Sequence, residues 1–141
     1  MLAPRPLPIS YVLTSTNHGT IITNRFDFKE RMDHLGNRAF SGVGVELFES
    51  STFQRKEIEI AFIFLQKILQ ERSSSKNKEE ILVIDCGANI GIHTIEWANF
   101  INFFGSVISF EAQEKIYYAL AGNIAINNLF NVKAINAAVG E

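Results

Sequence analysis

Two acidic residues follow short apolar runs at a spacing that suits recognition of a ribose-bearing ligand. Asp85 follows the run Ile81–Ile84 and leads directly into the glycine-rich segment Cys86–Gly91. Glu111 follows a second apolar run, Val107–Phe110, further along the chain. Such runs are typical of buried parallel strands, and an acid at the end of the second strand can accept both hydroxyls of a ribose. Glycines allow close approach of the backbone to a ligand, so the pattern predicts a nucleotide-like cofactor.

Each acid taken alone has a simpler explanation, because an acid after a strand can cap the helix that follows. Asp85 and Glu111 together, flanking a glycine loop after two parallel strands, favour cofactor binding over capping. The loop Gly87–Gly91 does not have the G-x-G-x-x-G spacing of a loop that binds a pyrophosphate. A dinucleotide or nucleotide-sugar enzyme with an atypical loop is therefore the less favoured alternative.

The elements that must position these residues alternate between strand and helix. Helical segments between successive strands indicate βαβ units and a parallel sheet. The fold class is therefore α/β and Rossmann-like, with three parallel strands. Most doubly wound domains have more strands, so we expect an incomplete sheet with one open edge. The predicted strands are residues 81–85, 107–111 and 132–138, and the predicted helices are residues 92–102 and 114–127.

The part of the chain before the sheet is predicted to be a separate extension. We assign residues 1–80 to this N-terminal extension and residues 81–141 to the cofactor-binding half of a Rossmann-like domain. Two β-rich runs, residues 11–14 and 20–23, surround a segment with Asn and Gly and predict a β-hairpin.

The rest of the extension gives weaker signals. Residues 24–50 are interrupted by glycines and are predicted to be mostly loop. A helix is expected from Ser51, because Ser51–Gln54 has the form of a capping box and apolar residues follow at helical spacing. Residues 71–80 are polar and Ser-rich and are predicted to be a solvated connector.

Composition and charge exclude several classes of protein. The chain has 141 residues, of which 47% are hydrophobic and 20% charged, as in globular proteins. Its net charge of −2 argues against nucleic acid as a partner, and no run approaches the roughly 18 apolar residues of a membrane span. The first eight residues have no apolar segment of a signal peptide. We therefore expect a cytoplasmic protein that binds neither nucleic acid nor membrane.

Other chemically interesting side chains have structural explanations. Cys86 is expected to be a small buried residue beside the loop rather than a nucleophile. His93 is expected to pack or hydrogen-bond locally, and His18 and His34 lack neighbours at metal-ligand spacing, so no metal site is predicted. Aromatic side chains at helical spacing are expected in the core; these are Trp97, Phe100, Phe103 and Phe104. For the upstream phenylalanines the core is favoured over covering the sheet or lining a substrate entrance; these are Phe26, Phe28, Phe40, Phe48 and Phe53.

Three signatures in the second half resemble the FkbM family of S-adenosylmethionine-dependent methyltransferases. Val83–Thr94 resembles the glycine loop of that family, and Phe110–Ala112 resembles its second-strand signature, with Ala112 in place of the usual proline. The tracts Asn127–Val132 and Asn136–Gly140 are similar to the sequence that follows. Three signatures in order over about 60 residues are more specific than one glycine loop. The later strands of the family have no counterpart in this sequence.

The resemblance implies S-adenosylmethionine as the cofactor and methyl transfer to an oxygen of a small molecule or sugar as the reaction. It implies that Asp85 orders the loop and faces the methionine amino group, directly or through water. It also implies that Glu111 binds the ribose hydroxyls and that Ala112 lies beside the adenine. No catalytic residue can be assigned from it. The implied cofactor-binding residues are Asp85, Gly87, Ala88, Asn89, Gly91, Glu111 and Ala112.

The alternative function belongs to a different class. The sequence ends where the third predicted strand ends, and this favours a truncated, catalytically inactive fragment that binds cofactor or acts as a scaffold. An open strand edge recruits partners, so we expect self-association or association with a completing chain.

Overall fold

A computed structural model describes residues 10–74 and 79–140 of the chain. The first nine residues of the predicted extension, and residues 75–78 of the predicted connector, lie outside the described residues. The chain divides into two compact units, with the boundary between Phe53 and Gln54. The predicted division between residues 80 and 81 stays a prediction.

The first unit contains two antiparallel hairpins and one helix. Strand β1 (Tyr11–Thr16) pairs with β2 (Gly19–Asn24), which confirms the predicted hairpin. Strand β3 (Lys29–Met32) pairs with β4 (Arg38–Ser41), and helix α1 (Val43–Ser50) follows. Helix α1 packs on the first hairpin. Val43 and Leu47 of α1 are buried, as is Ile21 of β2.

The prediction that residues 24–50 are mostly loop is wrong. Strands β3 and β4 have four residues each, and their sequences, KERM and RAFS, show no alternation of apolar and polar residues. Helix α1 has eight residues, which is about two turns and too short for a clear helical period. These elements therefore left no periodic signal in the sequence.

The second unit begins with helix α2 (Arg55–Ser74). The predicted start at Ser51 is wrong, because Ser51 has a left-handed backbone (φ 57°) and ends α1, with its N–H donating to the Leu47 carbonyl at 3.0 Å. The capping box is therefore not formed. Phe62 of α2 stacks on Phe100 with a ring-centroid distance of 4.7 Å.

Three parallel strands form the sheet of the second unit. Strands β5 (Ile81–Cys86), β6 (Gly105–Glu111) and β7 (Val132–Asn136) lie in that order, and helices α3 (Ile92–Ile101) and α4 (Glu114–Ile126) connect them. The observed ends of these five elements lie within two residues of the predicted ends, so the predicted Rossmann-like α/β arrangement with three parallel strands is confirmed.

The two faces of this sheet differ in burial. Val107 and Ser109 of β6 are fully buried on the face against which the connecting helices pack. Leu82 and Ile84 of β5 point to the other face and are 55% and 56% exposed. Strand β5 is thus not buried on both faces, contrary to the expectation from its apolar sequence.

The aromatic core that the sequence predicted is only partly present. Phe103 is 89% exposed, because α3 ends at Ile101 and Phe103 lies in the turn beyond it. Phe104 and the upstream residues Phe28, Phe40 and Phe48 are also exposed, so their placement in the core is wrong. The buried side chains of the second unit are largely aliphatic and include Ile58, Leu65, Ile92, Ile95, Ala98, Ile101, Val107, Ala119, Leu120 and Leu129.

None of the helices in residues 10–74 and 79–140 combines the length and the apolar character required to cross a membrane.

Candidate cofactor site

An open cleft of about 420 Å³ lies at the carboxyl ends of β5, β6 and β7. This is the end of a parallel α/β sheet at which ligands bind, because the loops that follow the strands diverge there. The cleft combines one carboxylate with several small side chains. Its lining residues are Cys86, Gly87, Phe110, Glu111, Ala112, Gln113, Ala137, Ala138 and Val139.

Gly87 begins the loop on the β5 side of the cleft. Its backbone has φ 79°, a left-handed conformation that favours glycine. The N–H groups of Gly87 and Ala88 both donate to the Phe110 carbonyl at 2.9 Å, which ties the loop to β6. A Cβ built on Gly87 would meet no atom within 4 Å, so the space beside this residue is open.

Glu111 is held on the β6 side by two backbone amides. Its Oε2 accepts the Asn89 N–H at 2.9 Å, and its Oε1 accepts the Gln113 N–H at 2.9 Å. The residue is only 7% exposed, yet it lines the cleft. Each carboxylate oxygen has a second lone pair, so Glu111 is fixed in position and can still accept hydrogen bonds from a ligand.

Asp85 lies against the first turn of α3. Its Oδ2 accepts the Thr94 hydroxyl at 2.5 Å, and the Thr94 backbone N–H also hydrogen-bonds to the carboxyl. Asp85 is buried and is not among the residues that line the cleft. This contact is the helix-capping role that the sequence left open as the simpler explanation.

Burial raises the pKa of the Asp85 carboxyl above its ordinary value, because the charged form loses solvation. Hydrogen bonds from Thr94 and the charge of His93 act in the opposite direction and lower the pKa, but less strongly.

Three further predicted site residues shape the loop behind the cleft. Asn89 has φ 52° and Gly91 has φ 92°, and Gly91 is the N-cap residue of α3. A Cβ on Gly91 would lie 2.6 Å from the Leu120 side chain. Ala88 is buried. Of the predicted residues, Gly87, Glu111 and Ala112 therefore line the cleft, while Asp85, Ala88, Asn89 and Gly91 are not among its lining residues.

Asparagine side chains that the sequence analysis did not assign to the site hold its loops. Asn123 of α4 is fully buried and donates to the Ile90 carbonyl at 2.8 Å. Asn136 at the end of β7 donates to the Glu111 carbonyl at 2.8 Å. In the sequence, Asn123 stands out as a polar amide in an otherwise apolar stretch of α4. Only the tertiary structure shows that it donates to the Ile90 carbonyl.

Cys86 and the histidines have defined environments. The expectation that Cys86 is buried is wrong: it is exposed and lines the cleft, because strand alternation places it on the same face as Leu82 and Ile84. His93 stacks on Trp97 with a centroid distance of 5.3 Å, which confirms local packing. His18 Nε2, in the first unit, accepts the Phe53 N–H at 3.0 Å.

Comparisons with known proteins give structural neighbours only. The sequence matches no protein-family model, and no curated protein is similar to it. A SAM-dependent O-methyltransferase from Thermotoga maritima is 17% identical over 92% of this chain and 48% of its own, with a TM-score of 0.46. TYW2 of M. jannaschii, solved in complex with AdoMet, is 21% identical over 91% of this chain and 56% of its own, with a TM-score of 0.43.

The tRNA (m1A58) methyltransferase TrmI from Aquifex aeolicus is 18% identical over 91% of this chain and 57% of its own, with a TM-score of 0.42. The chain thus spans about half the length of these three solved structures. All three TM-scores are below 0.5 and all three identities are below 25%, so these similarities supply neither a family nor a function for this chain.

Proposed function

We propose that the cleft binds S-adenosylmethionine and that the protein is an S-adenosylmethionine-dependent methyltransferase. The observation that carries the proposal is the Glu111 carboxylate, which is fixed by two backbone amides at the end of β6 and lines the cleft. A carboxylate only accepts hydrogen bonds, so it is complementary to a pair of ribose hydroxyls.

The other lining residues fit the same cofactor. The space beside Gly87 is open, so the backbone there can approach a ligand closely. Ala112, Ala137 and Ala138 are small and leave room for a flat ring. S-adenosylmethionine carries a ribose diol and no phosphate, in agreement with a loop that lacks the glycine spacing of a pyrophosphate site. When bound, it would supply the methyl group.

The finer assignment rests on the sequence. We propose membership of the FkbM family, because the signatures at Val83–Thr94, Phe110–Ala112 and Asn136–Gly140 occur in the order of that family. On the same basis we propose a hydroxyl of a small molecule or carbohydrate as the methyl acceptor. The net charge of −2 favours such an acceptor over nucleic acid, and we propose the cytoplasm as the compartment.

A second candidate function is cofactor binding without catalysis, in an inactive fragment or scaffold. It is favoured by the chemistry of the cleft, because Glu111 is the one carboxylate among the described lining residues and already accepts two backbone N–H groups. A general base for the acceptor hydroxyl would need a free acceptor atom within hydrogen-bonding reach. Transfer of a labelled methyl group from S-adenosylmethionine to a hydroxyl acceptor would support the methyltransferase. Cofactor binding without such transfer would support the second candidate.

The binding proposal is tested by isothermal titration calorimetry with S-adenosylhomocysteine. We expect saturable binding by the wild type and at least a tenfold loss in Glu111→Gln, because hydrogen bonds to a charged acceptor contribute about 1.5–3 kcal/mol each. Glu80→Gln is the matched control, since Glu80 is an exposed residue at the opposite end of β5. It should bind like the wild type.

Two results would contradict the proposal. One is equal affinity of Glu111→Gln and the wild type, with circular dichroism showing that both are folded. The other is binding of NAD without binding of S-adenosylhomocysteine, which would favour the dinucleotide alternative.

A further inference from the structure

A buried chain of hydroxyl groups ends on Asp85. Ser109 of β6 and Thr94 of α3 are fully buried, and their side-chain oxygens lie 2.8 Å apart. The Thr94 hydroxyl also lies 2.5 Å from Asp85 Oδ2. The chain therefore joins three elements, β6, α3 and β5, behind the loop that borders the cleft.

The protonation state of Asp85 sets the direction of these hydrogen bonds. An ionised carboxylate can only accept, so the Thr94 proton points to Asp85 and the Ser109 proton points to Thr94. A neutral Asp85 carboxyl would carry its own proton, and this proton would compete with the Thr94 proton for the position between the two oxygens. Hydrogen bonds in such a chain strengthen one another in a low-dielectric interior. The arrangement Ser109–Thr94–Asp85 is thus compatible with the ionised form, with Thr94 donating to Oδ2.

The surroundings of Asp85 otherwise oppose ionisation. Burial raises the pKa of Asp85, and the groups that lower it are, in decreasing order, the Thr94 hydroxyl, the charge of His93 and the Thr94 N–H. Strand β6 and helix α3 pack against β5, and their ionisable side chains are His93 and Glu96 on α3 and Glu111 on β6. Among these, the charge of His93 acts on Asp85 and also lowers its pKa.

We propose that Thr94 and Ser109 are positioning residues that hold the Asp85 carboxyl ionised and in one orientation, and thereby set the pH range in which the site binds its cofactor. The inference rests on the proposed function, because S-adenosylmethionine and S-adenosylhomocysteine both carry an ammonium group. Asp85 does not line the cleft but directly precedes the lining residue Cys86, so its charge would act on that group without direct contact. Affinity falls as the pH is lowered through the pKa of Asp85, since the neutral carboxyl attracts no cation.

The first test needs no ligand. The carboxyl carbon of Asp85, assigned by its absence in Asp85→Asn, is titrated by NMR in the folded wild type and variants. Thr94→Val removes the hydroxyl and should raise the titration midpoint by about one to two pH units. Thr94→Ser keeps the hydroxyl and should restore the wild-type midpoint. Ser109→Ala should raise it less, because Thr94 still donates to Asp85.

The second test measures S-adenosylhomocysteine affinity by calorimetry over the same pH range. For the wild type we expect a loss of up to about tenfold for each pH unit below the Asp85 midpoint. In Thr94→Val the loss should begin at a higher pH, displaced by as much as the NMR midpoint. Because an imidazole ordinarily titrates near pH 6.5, each variant is also measured in a His93→Gln background.

The outcomes separate this inference from the proposed function. Equal NMR midpoints for the wild type and Thr94→Val would overturn the inference, whatever the ligand does. Displaced midpoints with an unchanged pH profile of binding would overturn the link between the hydroxyl chain and the site. Displaced midpoints in a protein that binds no S-adenosylhomocysteine would instead overturn the proposed function. If Thr94→Val does not fold, Ser109→Ala decides: an unchanged midpoint is contrary to the inference and a raised one supports it.

Discussion

The candidate site residues of the second unit fall into two groups: residues that line the cleft, and residues that fix the position of the lining residues. Gly87 and Glu111 line it, whereas Asn89 donates its N–H to Glu111 and so fixes the carboxylate. Asp85 bonds to Thr94 behind the loop. A substitution at a lining residue should therefore change ligand affinity directly, and one at a supporting residue should act through the position or charge of its neighbour.

Gly87→Ala tests two consequences of the glycine at this position: the cost of its positive φ to stability, and the effect of an added Cβ on ligand affinity. Positive φ at a non-glycine residue costs about 1–2 kcal/mol, so the free energy of unfolding should fall by this amount in urea denaturation. The new Cβ would also occupy space beside the cleft, and affinity for S-adenosylhomocysteine should fall by about tenfold or more, as judged from typical overpacking costs.

The matched control is Gly36→Ala in the first unit. Gly36 has φ 82° and also has no atom within 4 Å of an added Cβ, but it lies in the turn between β3 and β4. It should show a similar backbone cost and unchanged affinity. Unchanged affinity in Gly87→Ala as well would remove Gly87 from the cofactor site.

Among the elements, β5 combines an open edge with an open face. It pairs with β6 alone among the described strands, and Leu82 and Ile84 are about half exposed. Natural edge strands are usually protected by charges, proline or a bulge. The sequence of β5, ILVIDC, has one charge, and that charge is Asp85, which is buried. Nothing on this strand therefore opposes pairing with another strand.

We expect self-association through β5 from this arrangement. The same edge on a second copy is complementary to it, because two identical strands can pair around a two-fold axis. We expect sedimentation velocity to show a mass above that of the monomer, increasing with protein concentration. The double variant Leu82→Lys and Ile84→Lys should shift the distribution to monomer, because it places charge on the open face.

Phe130→Lys is the control for this experiment, since Phe130 is 95% exposed but lies outside the sheet. It should associate like the wild type. A wild type that stays monomeric at all concentrations, or a Phe130 variant that dissociates equally well, would contradict association through β5.

The elements also show how far the sequence determines the fold. The strands and helices from β5 onward were predicted within two residues, because long apolar periods and glycine loops mark their ends. Strands β3 and β4 and helix α1 were missed, since strands of four residues without alternating polarity and a helix of about two turns carry no clear period. At the site, Gly87 and Glu111 follow from local sequence. The Thr94–Asp85 bond and the Asn123 contact depend on tertiary packing and could not be read locally.

For the whole chain, the division into two units places every lining residue of the cleft in the second unit. The predicted half-domain, residues 81–141, would omit helix α2. That helix stacks Phe62 on Phe100, and Arg72 donates to the Phe104 carbonyl at 2.8 Å. It also buries Ile58 and Leu65. A fragment that begins at residue 81 therefore lacks apolar contacts that a fragment beginning at residue 54 retains.

Two fragments decide between these boundaries. We expect residues 54–141 to unfold cooperatively on heating, followed by circular dichroism, and to bind S-adenosylhomocysteine within a few-fold of the full chain. Residues 81–141 should show no cooperative transition, because removal of α2 also removes the buried side chains of Ile58 and Leu65. The loss of one such side chain typically costs about 2–5 kcal/mol. A folded, binding-competent 81–141 fragment would support the boundary predicted from sequence. A folded 54–141 fragment that fails to bind, beside a full chain that binds, would mean that residues 1–53 contribute to the site.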